Sequence, residues 1–413
     1  MGGPEVSFPS DSPELTGVAD YIITGAGEVS FQKLCTRLLA DEKPEQKWIS
    51  GEVVGLNELV LPYQCYSDED IRNRLIYVEA SRGCPFKCEF CLSSLDKTST
   101  AFELEPFLAE IDRLHQRGAR NFKFIDRTFN LKVSTSVAIL EFFLQRMSDD
   151  LYLHFEVVPD RLPDKLKAVL ALFPARSLQL EIGVQTFDTR IQRLISRKQD
   201  NPKTCENLHW LRQHTGAHIH ADLIFGLPAD SIENFATSFN RLVALKPQEI
   251  QLGILKRLRG APINRHSEAY QLRYKPTAPY DILSTADIDF ATMQRVKRFA
   301  RFWDLIANSG RFPETLPLIL HDDPFQRFLT LSDSLYQLAG STWKISLRRI
   351  FTLIYTALTE HLEAAPGPVG LALTLDFQRS GQKGQLRLGE LEEELEARTG
   401  KANKRQQQHL AGP

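Results

Sequence analysis

What is scarce in this 413-residue chain narrows its chemistry before any motif is read. No apolar run approaches the roughly 20 residues that span a bilayer. The opening stretch, MGGPEVSFPSDSPEL, has neither the basic nor the apolar region of a secretory signal. Neither sign of charge is in excess, with 50 Lys plus Arg against 52 Asp plus Glu, so no broad field points to nucleic acid or an anionic membrane. Cysteine is scarce as well, at six, and Cys35, Cys65 and Cys205 stand alone, as small buried hydrophobes do. These absences place the chain in the cytosol, where thiols stay reduced and clustered cysteines serve metal or catalysis rather than disulfides. What is present is ordinary: 42% hydrophobic and 25% charged residues, enough for a sizeable core in two or three domains.

The middle of the chain alternates β-rich runs with amphipathic stretches. RLIYVEA (74–80), NFKFID (121–126), LHFEVVP (153–159), LQLEIGVQ (178–185), HIHADLIFGLP (218–228) and EIQLGILK (249–256) are short, apolar and not strictly alternating. Strands buried on both faces have that composition. Between them, FELEPFLAEIDRLHQRG carries Leu104, Phe107, Leu108, Ile111 and Leu114 at helical spacing and stops at Gly118. STSVAILEFFLQRM offers Ser134 and Thr135 as caps, and SIENFATSFNRLVAL offers Ser231, with Asn234 where a capping box prefers Glu. Six strands separated by helices predict a parallel sheet, and periodicity alone leaves a barrel and an open doubly wound sheet both standing. After about residue 260 strands are expected to give way to aromatic-rich helices, and from Leu386 a polar tail carries one exposed helix followed by disorder.

Half of the cysteines fall within eight positions, as Cys84-x3-Cys88-x2-Cys91, at the end of the first predicted strand. A structural zinc site wants four ligands, and no second pair exists here. A disulfide uses two cysteines and conflicts with the compartment. A complete electron-transfer cluster uses four thiolates. Three suit a 4Fe–4S cluster with one iron open to another ligand.

With Phe90 just before the last cysteine, this motif resembles the signature of the radical SAM superfamily. The resemblance implies that Cys84, Cys88 and Cys91 hold the cluster, that S-adenosylmethionine chelates the open iron, and that Phe90 packs on the adenine, a contact worth about 1–3 kcal/mol. Arg82, Gly83 and Pro85 suit a tight loop whose amides tune the cluster. EIGVQTFDTRIQRLISR (181–197) and DLIFGLPADSIENF (222–235) are similar to the fourth- and fifth-strand motifs of the oxygen-independent coproporphyrinogen oxidase and methylthiotransferase branches. That similarity assigns Gln185 and Asp222 to the ribose and Arg197 to the methionine carboxylate, which its guanidinium fork fits. Glu156 matches the third-strand acidic residue near the ribose. Asp126 stands where a Gly-Gly-Glu-like motif meets the methionine amino group, and it departs from that motif. For Asp126 and Glu156 a cap or a surface ion pair is an equal alternative. Of His218 and His220, one is expected to face the barrel interior, and a structural histidine is the plainer reading.

GGPEVSF and ADYIITGAGEVSFQKLCTRLL resemble the closing elements of the Rossmann-like cobalamin-binding domain that precedes the barrel in one radical SAM subclass. The chain begins at that point, and the preceding elements and the Asp-x-His-x-x-Gly motif are missing from it. ALKPQEIQLGILKRLRGAPI and IANSGRF continue the similarity into a C-terminal domain without assigned function. The expected fold is therefore α/β: a cobalamin-domain remnant and linker (1–60), a partial (βα)6 TIM-like radical SAM barrel (70–262), a helical C-terminal domain (263–385) and the tail (386–413). The expected function is reductive cleavage of S-adenosylmethionine to a 5′-deoxyadenosyl radical that abstracts hydrogen from an unidentified substrate. The partners implied are that substrate and a one-electron reductant such as flavodoxin or ferredoxin. Alternatives are a cobalamin-dependent methyltransferase needing the missing N-terminal elements, and a non-catalytic iron–sulfur fragment or scaffold.

Overall fold

The structure, a computed structural model, describes residues 1–8, 16–96, 98–382 and 384–388. Six parallel strands form its centre: β3 (Ile76–Val78), β6 (Asn121–Phe124), β7 (Tyr152–Val157), β8 (Leu178–Gln185), β9 (His218–Phe225) and β10 (Glu249–Ile254). Five lie inside the apolar runs of the sequence, and β7 begins one residue earlier, at Tyr152. They pair in strict chain order from β3 to β10, each crossover carrying at least one helix. A doubly wound sheet needs a reversal of strand order, whereas consecutive order with crossovers of one hand sets every helix on one face and curls the sheet. The edges β3 and β10 do not pair, so the barrel is partial. Its outer face packs on the crossover helices through Phe122, Phe124, Phe155, Leu180, Ile219, Leu223 and Phe225, all essentially inaccessible, while the alternate residues Lys123, His154 and Glu181 meet in its interior.

The crossover helices follow the expected signals with one exception. Leu104–Gln116 ends before Gly118, which takes φ 100°, and Ser231 caps Ile232–Ala244 by accepting from the Asn234 amide. Ser134 and Thr135, expected as caps, lie inside the helix Val133–Leu144. Its first turn is braced instead by Ser136, whose hydroxyl donates to the Phe129 carbonyl.

Two small ribbons were not anticipated. β4 (Ser81–Gly83) and β5 (Ser99–Ala101) pair antiparallel and frame the cysteine loop. Gly83 is required there: at φ 90° an added Cβ would stand 2.1 Å from the Thr98 carbonyl oxygen. Strands also do not disappear after residue 260, because β11 (Arg273–Tyr274) pairs with β12 (Ile282–Ser284). Beyond them come the helices Phe290–Ile306, Pro324–Ala339, Leu347–Thr356 and Pro366–Arg379, packed into the same continuous core as the barrel. The N-terminal unit pairs β1 (Ile22–Thr24) in parallel with β2 (Trp48–Ser50) beside the helix Glu28–Leu39. Its buried core of Val6, Ala19 and Ile22 is separate. The polar tail expected from Leu386 lies outside the described residues from position 389.

Candidate active site

β3 delivers the chain to the cysteine loop at the carboxyl ends of the strands, where barrels of this kind gather reactive side chains. Cys84, Cys88 and Cys91 all line one cavity there, with Phe90, Glu156, Gln185, Arg197 and Asp222. Eight of the nine residues singled out in the sequence thus share one wall-to-wall space. Asp126 is not among the lining residues. It is buried beneath, where its carboxylate accepts from the Ala80 amide at 2.9 Å and the Ser81 hydroxyl at 2.6 Å and ties β6 to the start of the cysteine loop. Burial pushes its pKa up to about 6 against those hydrogen bonds.

The loop is shaped for ligation without closing on one point. No group of three His, Cys, Asp or Glu side chains surrounds a single metal ion among the described residues. A cubane cluster needs no such convergence, since each cysteine binds a different iron. Burial raises the thiol pKa of Cys84 and Cys88, so metal binding there must release protons. Arg197 reaches the Cys88 sulfur from Nη1 at 3.6 Å and donates from Nη2 to the Gly183 carbonyl. Phe90 packs one side on the core.

The cavity is also short of hydrogen-bond partners. Buried without a hydrogen bond are Thr128 Oγ1, Asp160 Oδ1, Gln185 Oε1 and Asp222 Oδ1, all on lining residues, the last facing His220 Nε2 at 3.6 Å. Such atoms are costly unless a polar ligand or water meets them. Gln185 closes a β-bulge that skips Val184 and pairs with Leu223 at φ 69°, an uncommon conformation for a side-chain-bearing residue. Burial, reinforced by Glu181 and Glu156, holds the Asp222 pKa well above the carboxylate range. Burial likewise raises Glu156, which Arg127 faces at 3.6 Å.

Sequence reading missed Glu181, Arg127 and Glu89. Glu181 lines the cavity, and His154 Nε2 at 2.9 Å and Lys123 Nζ at 3.4 Å hold its pKa down to about 2. A charge in the otherwise apolar run of β8 was its available signal. His218 is buried against Glu249 at 3.2 Å, whereas His220 lines a second, wider cavity. That space, about 760 Å³ against about 180 Å³, meets the first at Phe90, Gln185 and Asp222, and its far wall is Lys297, Arg301 and Asp304 of the helix Phe290–Ile306.

Comparison with known proteins agrees with this geometry. The profile of the radical SAM superfamily matches residues 78–242. The chain carries a radical SAM domain. A protein family of unknown function (DUF4080) matches residues 268–411. An uncharacterized methyltransferase of Pyrococcus horikoshii is 29% identical over 166 residues, 34% of this chain and 35% of that protein. The oxygen-independent coproporphyrinogen III oxidase of Paracoccus denitrificans is 35% identical over 82 residues, 20% of this chain and 18% of that protein. These matched segments span about a third or less of the curated relatives. The fold of a cobalamin-dependent S-adenosylmethionine radical enzyme, OxsB, superposes with a TM-score of 0.57 at 14% identity, over 92% of this chain and 70% of that one. A radical SAM domain implies a 4Fe–4S cluster and S-adenosylmethionine, and the three thiols, the buried oxygens that lack a hydrogen bond and Arg197 form a donor set that fits both. Enzymes with this domain use an electron donor and a substrate. No described helix is long and apolar enough to cross a membrane.

Proposed function

We propose that this protein is a radical SAM enzyme. The observation that carries the reading is the coincidence of three loop thiols and four buried side-chain oxygens that lack a hydrogen bond on one cavity within the radical SAM domain. Cys84, Cys88 and Cys91 would hold the cluster, and Phe90, Gln185, Asp222, Arg197 and Glu156 would bind and orient S-adenosylmethionine. When bound, the reduced cluster supplies the electron that splits S-adenosylmethionine into methionine and a 5′-deoxyadenosyl radical able to take a hydrogen atom. Arg197 offers a fixed cation to a carboxylate. Asp222, whose pKa burial raises, would accept from a ribose hydroxyl, and in its protonated form would also donate to one. Asp126, tied down by Ala80 and Ser81, braces the loop rather than facing the ligand. Substrate would enter the second cavity, so Lys297, Arg301 and Asp304 would give the C-terminal helices a part in choosing it. A flavodoxin or ferredoxin in a reducing cytosol would supply the electron, consistent with six free cysteines.

The test is anaerobic: reconstitute with iron and sulfide, reduce, add S-adenosylmethionine and measure 5′-deoxyadenosine beside a Cys84/Cys88/Cys91→Ala control. Product that vanishes in the control is expected. A well-formed cluster that cleaves nothing across several reductants defeats the reading and leaves the non-catalytic alternative.

A second reading adds methyl transfer through cobalamin. It is favoured by the N-terminal unit, where Val18, Phe31 and Leu39 expose 77%, 60% and 90% of their surface beside the parallel β1–β2 pair. A further α/β layer would cover them. Retention of hydroxocobalamin by the protein on gel filtration is the check, and its complete loss removes this reading for the chain as it stands.

A further inference from the structure

Glu89 lies between two cluster cysteines, yet it turns away from the cavity and is only 4% exposed. Every polar group it owns is engaged. Its amide donates to the Ile195 carbonyl at 3.0 Å, and its carbonyl accepts from the Ile263 amide at 2.9 Å. The carboxylate accepts from the Ser196 hydroxyl, from Arg265 through both Nε and Nη2, and pairs with His266 Nε2 at 2.8 Å. Two distant segments therefore converge on one residue of the cysteine loop. The first, Ile195–Ser196–Arg197, grips the Glu89 amide, the Glu89 carboxylate and the Cys88 sulfur in succession. Ser196 does so at φ 55°, a left-handed conformation that costs energy for a residue with a side chain. The second, Ala261–His266, lies beyond residues 78–242 of the radical SAM match.

We propose that Glu89 is the positioning residue of the cysteine loop, a buried latch through which Ser196, Arg265 and His266 set the places of Cys88, Phe90 and Cys91. The latch rests on the radical SAM reading for its purpose but not for its geometry. The loop itself supplies little rigidity: Cys91 donates from its amide to the Cys88 carbonyl at 3.0 Å, and its own carbonyl is held by Ser94. Arg197 on the Cys88 sulfur and Phe90 against the core add to this, and the densest set of restraints on the turn comes through Glu89. Partners outside a metal's own ligands commonly change metal retention 10–100-fold when removed. By this account a barrel cut off after residue 242 would contain all three cysteines and still hold a cluster badly.

Two variants test the latch. Glu89→Gln keeps the side-chain shape but removes the charge that Arg265 and His266 address. Arg265→Ala removes the opposite arm, whose side chain is 62% exposed, and so leaves the buried packing alone. Two readouts are taken on each. In the first, the reconstituted proteins are challenged anaerobically with an iron chelator, and loss of cluster absorbance is expected to run about 10-fold faster or more than in the parent. In the second, the metal-free proteins are alkylated with iodoacetamide. Cys88 and Cys91 should react several-fold faster in the variants, and Cys84, ahead of the latch, should change least. Thermal unfolding of the metal-free proteins separates this from a general loss of structure, and Arg265→Ala should keep its midpoint. Parental chelation and alkylation rates in Arg265→Ala, with Glu89→Gln folded and equally unchanged, would overturn the latch. If the parent takes up no cluster, the radical SAM reading fails, and the alkylation rates still decide the latch on their own.

Discussion

The barrel is flanked on both sides, and the flanks are joined to it by different physics. On the C-terminal side, Phe299 and Trp303 of the helix Phe290–Ile306 and Phe325 of the helix Pro324–Ala339 pack ring against ring on Phe239, a residue of the barrel's own crossover helix, at centroid distances from 4.8 to 5.8 Å, and Phe328 packs on Phe299 and Trp303 behind them. All belong to one core that runs unbroken into β9. On the N-terminal side the buried apolar residues form their own small cluster. The unit meets the barrel through ion pairs and hydrogen bonds: Glu5 with Arg259 at 2.8 Å and with the Tyr280 hydroxyl at 2.9 Å, and Glu28 with Arg82. Phe8 adds one apolar contact, lying so close to Gly260 that a Cβ there would clash. A shared core makes one cooperative body, whereas a polar seam lets two bodies part. The C-terminal helices are thus part of what folds the radical SAM domain, and the N-terminal unit is docked on it.

The most severe test of that contrast is Phe299→Ala. The side chain is wholly buried among aromatic rings contributed by both regions. Its removal should cost about 3–5 kcal/mol and lower stability in a single denaturation step that barrel and helical signals share. Two separated transitions, with the barrel signal unmoved, would break the claim of a common core.

Much of this arrangement is legible in the chain, because its strongest signals are local. Six strands stand out because the face each turns to the helices is a run of Ile, Leu, Val and Phe, and three thiols within eight positions announce themselves. The ribbon β4–β5 does not stand out, since Ser81–Gly83 and Ser99–Ala101 are short, half-exposed and polar, and pairing rather than composition makes them strands. Asp126 matched a motif position by its place after β6, yet its side chain turns under the loop to reach Ala80 and Ser81, which linear spacing does not encode. Glu89 was silent for a similar reason. Its partners lie 107 to 177 residues away, and nothing in CEFC hints that the glutamate is buried.

Between the flanks, the polar interior of the barrel should dominate the pH dependence, with two carboxylates acting in opposite directions. Glu181 is held down to about 2 from 4.5, chiefly by the His154 hydrogen bond, so its stabilisation is complete above about pH 4.5 and is lost as pH falls toward 2. With a quarter of the side chain exposed, this amounts to about 2–3 kcal/mol. Asp126 is raised to about 6 from 3.8 by burial, so its ionised form costs stability above pH 6, and that cost lifts as pH falls from 6 toward 3.8. Denaturant unfolding across pH 7 to 3 should show Asp126→Asn losing the gain between pH 6 and 4, and Glu181→Gln losing the decline below 4.5. Superimposable profiles for parent and variants would mean that neither group is shifted.

The smallest effect should come from the seam. Arg259→Ala removes a guanidinium that bridges Glu5 and the Tyr280 hydroxyl and lies over the Tyr280 ring at 5.2 Å. Glu5 is half exposed, so water and salt already compete for it, and the loss should be about 1 kcal/mol or less. The informative readout is location rather than size. Hydrogen exchange should quicken in β1 and β2 while β8 and β9 keep their protection, because a docked unit can loosen without disturbing the body it sits on. An equal loss of protection in the barrel strands would show the seam to be as cooperative as the C-terminal core, and the contrast between the two flanks would fall.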